Sequence, residues 1–134
     1  MSYNYKKQVE LAYADAVAKT KDALSKEGFG IITEIDVKAT LKKKLNIDID
    51  NYIILGACNP KLAHKAMQAE QDIGVLLPCN VVVYEKEGKT FVASILPTVQ
   101  LGKINNKKLL PIAQEVEERL KRALNEVSDK ASFI

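Results

Sequence analysis

Two cysteines, each followed by asparagine, are the residues of this 134-residue chain best suited to chemistry. Cys58-Asn59 stands directly before Pro60, and Cys79-Asn80 directly after Pro78. A thiolate is a nucleophile and a soft metal ligand, and a side-chain amide supplies both donors and an acceptor. Asn59-Pro60 also reads as a helix start, with Asn at the cap and Pro at the first helical position, where its missing N–H costs nothing. Cys58 therefore precedes a helix N-terminus, whose unpaired N–H groups favour an anion. Glu70, at the far end of the same predicted helix, falls roughly on the side of Ala63 and Ala66 and is expected to turn toward the sheet. Cys58, Asn59, Glu70, Cys79 and Asn80 thus form the candidate ligand-binding or reactive set, a small polar cluster in an apolar frame. No residue is assigned a catalytic role.

A plainer account competes with this one. Free cysteine is among the most buried residue types and often behaves as a small hydrophobe. Asn59 is explained by capping alone, and Pro78 and Asn80 by the entry of the chain into a strand. A metal site would draw on Cys58, Cys79 and Glu70 as weak candidates and would need a further ligand from water or another chain. His64, the one histidine, shares a helix face with Lys61, Lys65 and Gln68, a solvated pattern that also makes a Cys58–His64 dyad doubtful. There is no C-x-x-C, no H-E-x-x-H, no calcium loop, no P-loop and no legible Ser-His-Asp constellation. Gly28-Phe29-Gly30 precedes a strand instead of following one, unlike a dinucleotide-binding turn. The cofactor is unknown, and the balance of signals favours a non-enzyme.

Lys38, Lys42, Lys43 and Lys44 make the strongest charge feature. A solvated helix face explains them, with a phosphate-contacting patch as the alternative. No aromatic row accompanies them, so base stacking is not suggested.

These residues need elements to place them. The stretch Tyr3–Val9 predicts a short strand. Glu10–Lys26 predicts a helix with an apolar stripe of Leu11, Ala14, Val17, Ala18 and Leu24, stopped at Gly28. From Phe29 the period becomes two. Phe29, Ile31, Thr33, Ile35 and Val37 are expected on one side, with Gly30, Ile32, Glu34 and Asp36 on the other. Asp36 can cap a short helix, Val37–Leu45, with Leu41 and Leu45 inward. Asn51–Ala57 predicts an interior strand, and Pro60–Glu70 a helix with Leu62, Ala63, Ala66 and Met67 inward. Cys79–Glu85 and Thr90–Leu96 predict a hairpin about Lys86-Glu87-Gly88-Lys89, ended by Pro97. A long closing helix carries Leu109, Ile112, Ala113, Val116, Leu120, Ala123, Leu124 and Val127 at three- and four-residue steps.

The order β-α-β-(α)-β-(α)-β-β-α predicts an α+β fold, a curved antiparallel sheet with helices mainly on one face. Residues 1–134 are expected to form a single domain. If the strands carrying the two cysteines pair directly, the two Cα atoms lie about 4.5–5.5 Å apart.

Composition bounds the rest. A hydrophobic fraction of 47% and a charged fraction of 28% are those of a globular protein. The formal net charge of +3 is too small to argue for nucleic acid, which is not an expected partner. The opening MSYNYKKQVE lacks an apolar segment, so no secretory leader and a cytoplasmic location are expected, without membrane association. Two cysteines in a reducing compartment do not predict a disulfide.

The blocks Gly28–Leu45 and Tyr52–Glu85 carry a recognisable pattern. LGACNP at Leu55–Pro60, QAE at Gln68–Glu70 and the run IGVLLPCNVVVYE at Ile73–Glu85 resemble the domain-of-unknown-function family 302. The resemblance covers most of the chain. It implies a sheet-and-helix arrangement like that of the TATA-box-binding protein, together with a homodimer, and it implies no activity. A homodimer also follows from a single sheet with helices on one face, whose other face needs cover. Ile32 and alternate residues of Val81–Val83 and Phe91–Ile95 can supply the apolar groups for it. The leading expectation is a small dimeric binding module taking a small molecule or an anion at the cysteines. Its alternatives are a thiol-based metal or redox protein and phosphate contact through the lysine helix.

Overall fold

A computed structural model describes residues 2–127. Five strands form one antiparallel sheet in the order β1-β5-β4-β3-β2. They are β1 (Asn4–Val9), β2 (Gly30–Asp36), β3 (Tyr52–Cys58), β4 (Cys79–Lys86) and β5 (Lys89–Ile95). The helices are α1 (Tyr13–Lys26), α2 (Val37–Leu45), α3 (Pro60–Ala69), α4 (Pro97–Leu101) and α5 (Leu109–Val127), and a 3-10 turn spans Gln71–Leu76. The expected α+β arrangement is present. The short α4 and the 3-10 turn are additions that no periodic apolar pattern announced.

Strand alternation divides the sheet into two faces. Leu55, Val81, Val83 and Val92 point to one face and are fully buried beneath α1 and α5. The stripe on α5 works as its spacing requires: Leu109, Ala113, Val116, Leu120, Ala123, Leu124 and Val127 are all buried. The other face carries Tyr52, Ile54, Val82, Tyr84 and Phe91, half-buried, with Lys6 among them.

Three local devices fix the ends of these elements. At the end of α1, Gly28 N–H donates to the Ser25 carbonyl and Phe29 N–H to the Leu24 carbonyl, with Gly28 at φ 86°. This is a Schellman stop, and its apolar contact places Phe29 in the core beside Leu24. The hairpin turn has Glu87 and Gly88 both at positive φ, as a two-residue type I′ turn needs. Asp36 caps α2 by accepting from the Ala39 N–H at 3.0 Å.

Three expectations need correction. The period-two pattern of β2 breaks at a bulge between Ile31 and Thr33. Ile31 faces the helices beside Ala57, whereas Thr33 and Ile35, beside Gly56 and Ile54, turn to the other face. The extra residue in the bulge, Ile32, is 60% exposed. Leu45 is 61% exposed, and α2 buries none of its residues, because the helix lies beside β2 and β3 without deep packing. Met67 on α3 is also exposed, leaving Leu62 and Ala66 as that helix's buried pair.

Candidate functional site

The end of β3 and the start of β4 meet where α3 begins. The ladder register places Cys79 opposite Ala57, one residue from Cys58, and Cys58 itself lies opposite Gly30 of β2. The direct Cys58–Cys79 pairing considered from the sequence therefore gives way to a one-residue offset. The register set along β3 and β4 fixes this offset, and Pro78, which would oppose Cys58, has no N–H and ends the ladder there. Pro78 instead presses on Gly56, where an added Cβ would lie 2.8 Å from the proline Cγ and 2.1 Å from Thr33 Oγ1.

The offset does not separate the thiols from a shared space. Both cysteines line one recess with a volume of about 280 Å³. Ala57 and Cys58 supply its floor from β3, and Leu62, Ala63, Ala66 and Met67 its wall from α3. Leu77, Pro78 and Cys79 enter from the approach to β4, Ile112 and Val116 from α5, and Phe29 and Ile32 from either end of the turn into β2. The lining is almost wholly hydrocarbon. Its polar residues are Cys58, Cys79 and Asn59. Cys79 shares the helix-side face with Ala57, whereas Cys58, the next residue of β3, starts from the other face.

Both cysteines are free thiols, Cys58 half-buried and Cys79 buried. Burial pushes the Cys79 thiol from its ordinary value of 9.0 up to about 12, with the neighbouring Cys58 charge as the second cause. Cys79 is thus a neutral S–H near pH 7, suited to packing and weak hydrogen bonding more than to nucleophilic attack.

The remaining sequence candidates fall in different places. Asn59 is the α3 cap, its side-chain oxygen accepting from the Leu62 N–H at 3.3 Å, and it borders the recess. Glu70 does not join the thiols. It lies at the opposite end of α3, where Asn106 Nδ2 donates to its carboxylate at 3.1 Å and to the Ala69 carbonyl at 2.8 Å. Ten helical residues separate the two ends of α3 by about 15 Å at ~1.5 Å each, which explains the failure of the side-sharing argument. Asn80 is exposed on the opposite face of the sheet from its neighbour Cys79, because successive strand residues alternate. It borders a second recess there, about 410 Å³, with Lys6, Tyr52 and Tyr84.

The metal alternative loses its third ligand with Glu70, and no group of three metal-ligating side chains gathers among the described residues. In the lysine set, Lys38 donates to the Ile49 carbonyl and Lys42 pairs with Asp48 at 3.3 Å, while Lys43 and Lys44 are exposed. His64 is exposed, as its helix face predicts.

Sequence reasoning missed an aromatic row. Tyr52, Tyr84 and Phe91 stack across β3, β4 and β5 with centroid separations of 5.3 and 5.2 Å, and Lys6 Nζ lies 5.0 Å from the Phe91 centroid. The signal was available: Tyr84 and Phe91 stand symmetrically about the Glu87-Gly88 turn, so hairpin register alone pairs them.

A five-stranded antiparallel sheet backed by two long helices, with an apolar recess at one end, defines an α+β protein. The chain belongs to the family described as Domain of unknown function DUF302, which it matches over residues 5–127. It is 27% identical over 128 residues to an uncharacterized protein of Aquifex aeolicus (strain VF5), covering 92% of this chain and 83% of that one. It is also similar to the crystal structure of an uncharacterized conserved protein of the same family from Bacillus stearothermophilus. There the TM-score is 0.89 and the identity 29%, with 95% of this chain and 99% of that chain covered. No helix among the described residues is long and apolar enough to cross a membrane.

Proposed function

We propose that this protein is a small, non-enzymatic, homodimeric binding module whose ligand occupies the recess holding Cys58 and Cys79. One observation carries the reading: Cys58 and Cys79, distant along the chain, both line one apolar recess of about 280 Å³. That volume is close to the lower end of known small-ligand sites, and a few polar groups in an apolar lining are their usual make-up. The raised Cys79 pKa favours a ligand whose buried portion is uncharged, because a neutral thiol in hydrocarbon cannot balance an ion. The homodimer is supported by the second sheet face, where Ile54, Val82, Tyr84 and Phe91 leave apolar surface half-open to solvent.

A neutral solvatochromic dye such as Nile red tests the ligand site. Ala63 is half-exposed on the recess wall, so Ala63→Phe fills the space with little demand on the core. Saturable dye binding by the natural protein, reduced at least tenfold in Ala63→Phe, is expected. Equal binding by both proteins, or none by either, overturns the reading.

A further inference from the structure

We infer that the ligand of this recess is a single-chain amphipathic anion, with its alkyl chain in the recess that Cys58 and Cys79 line and its anionic head on Lys61, Lys65 and Arg119. The inference rests on the proposed ligand site and adds the class of molecule that fits it.

The apolar recess is not isolated. Another recess, of about 430 Å³ and distinct from the one beside Asn80, adjoins it, and Asn59 and Leu62 line both. The two differ sharply in character. The first has no charged residue in its lining, whereas Lys61, Lys65, Arg119 and Glu115 line the second. Three cations face one carboxylate, and that carboxylate is already committed: Glu115 accepts from Arg119 Nε at 3.0 Å. Arg119 is held in place by a second bond, from Nη1 to the Glu27 carbonyl at 3.1 Å. Neither Lys61 nor Lys65 forms an ion pair among the described residues. The net positive charge of the second recess therefore comes from two lysines with unused donors beside a fixed guanidinium.

Close packing keeps the two recesses adjacent. At Gly28 an added Cβ would lie 3.0 Å from Asn59 Nδ2 and 3.9 Å from Arg119 Nη1, so the absence of a side chain leaves both groups room beside Gly28. Asn59 thereby stands between hydrocarbon on one side and cations on the other. A molecule with an apolar chain and one anionic end matches that polarity. A neutral hydrocarbon would leave the cationic half unused, and a compact anion would leave the apolar half unfilled. The apolar recess, about 280 Å³, is close to the lower end of small-ligand sites, which suits one alkyl chain. A medium-chain carboxylate is the simplest free molecule of this class.

Decanoate and decanol are the probes, each titrated against Nile red displacement from the full chain, with acetate as the head-only control. Decanoate is expected to bind at least tenfold more tightly than decanol, and acetate not at all. The double variant Lys61→Glu/Lys65→Glu changes two exposed side chains, so its fold is preserved. It should lose at least tenfold in decanoate affinity and keep its decanol affinity. Equal affinities for decanoate and decanol in both proteins overturn the inference while leaving the ligand site itself intact. Failure of both probes and of the dye overturns the proposed function with it. Sedimentation with phosphatidylglycerol vesicles in the absence of decanoate binding would replace the free anion with a lipid surface and likewise overturn the inference.

Discussion

Cys79 is the residue whose chemistry is most altered by its surroundings. Its folded pKa is raised to about 12 from 9.0, so between those values the folded state holds a proton that the unfolded chain releases. The sign follows directly: this contribution to stability is fully present below pH 9.0 and is lost as pH climbs toward 12. Chemical denaturation followed from pH 8 to pH 11 should show stability falling. The fall should be shallower in Cys79→Ala, after allowance for the lysines that titrate in the same range. Identical slopes for the two proteins would remove the buried neutral thiol from the account. Asn59 has a structural duty separate from any ligand. Its cap on α3 is worth about 0.5–2 kcal/mol, so Asn59→Ala should lower stability by that amount in urea melts. The residue scale is also where sequence reading succeeded least evenly. The thiols, the Asn59 cap and the solvated His64 were legible because each follows from its immediate neighbours. The positions of Glu70 and Asn80 were not. The first depends on a partner, Asn106, in a distant loop, and the second on strand parity through Cys79.

Among the elements, β2 and β3 show why local pattern is insufficient. The alternating run from Phe29 to Val37 predicted one continuous apolar side, but a single bulge at Ile31/Thr33 transferred Thr33 and Ile35 to the other face. A bulge inserts one residue without changing composition, so a period-two count cannot detect it. The same bulge brings Thr33 opposite Gly56, where Pro78 also packs, and the space there admits no side chain. Gly56→Ala should therefore displace Thr33 and Pro78 and destabilise the fold by about 1–3 kcal/mol, measured by denaturant unfolding. A cost below a few tenths of a kcal/mol would mean that this junction is looser than its geometry. The hairpin and α5 were legible throughout because their signals are internal: a Gly in a two-residue turn and a long stripe of three- and four-residue steps. The aromatic row across β3, β4 and β5 needed the register of three strands at once, of which the hairpin alone supplied two.

At the scale of the whole molecule, the helices and the sheet share one buried interface, and its most enclosed side chains include Leu55, Leu120 and Leu124. Leu120→Ala should cost about 2–5 kcal/mol, since a fully buried leucine leaves a cavity that its neighbours cannot fill. The sheet's second face is where the proposed homodimer would form. Sedimentation velocity at micromolar concentration should report a dimer, and Val82→Glu, which places a charge at the centre of that face, should shift it to monomer. A monomer in the natural protein would contradict the dimer and leave the recess unaffected, because the recess lies among β3, α3 and α5. The fold and family were readable from the chain because their motifs, LGACNP and LLPCNV, coincide with the strand ends that frame the recess. The apolar character of the site was not, since it depends on which side chains α5 and the 3-10 turn bring over the cysteines.

Occupancy of the recess is tested most directly by the reactivity of Cys58, the half-buried thiol of the pair. Its alkylation by iodoacetamide, followed by mass spectrometry on the native protein, should slow at least tenfold when decanoate saturates the site, with Cys79 unmodified throughout. An alkylation rate for Cys58 that is the same with and without decanoate would contradict the claim that these thiols line a ligand site.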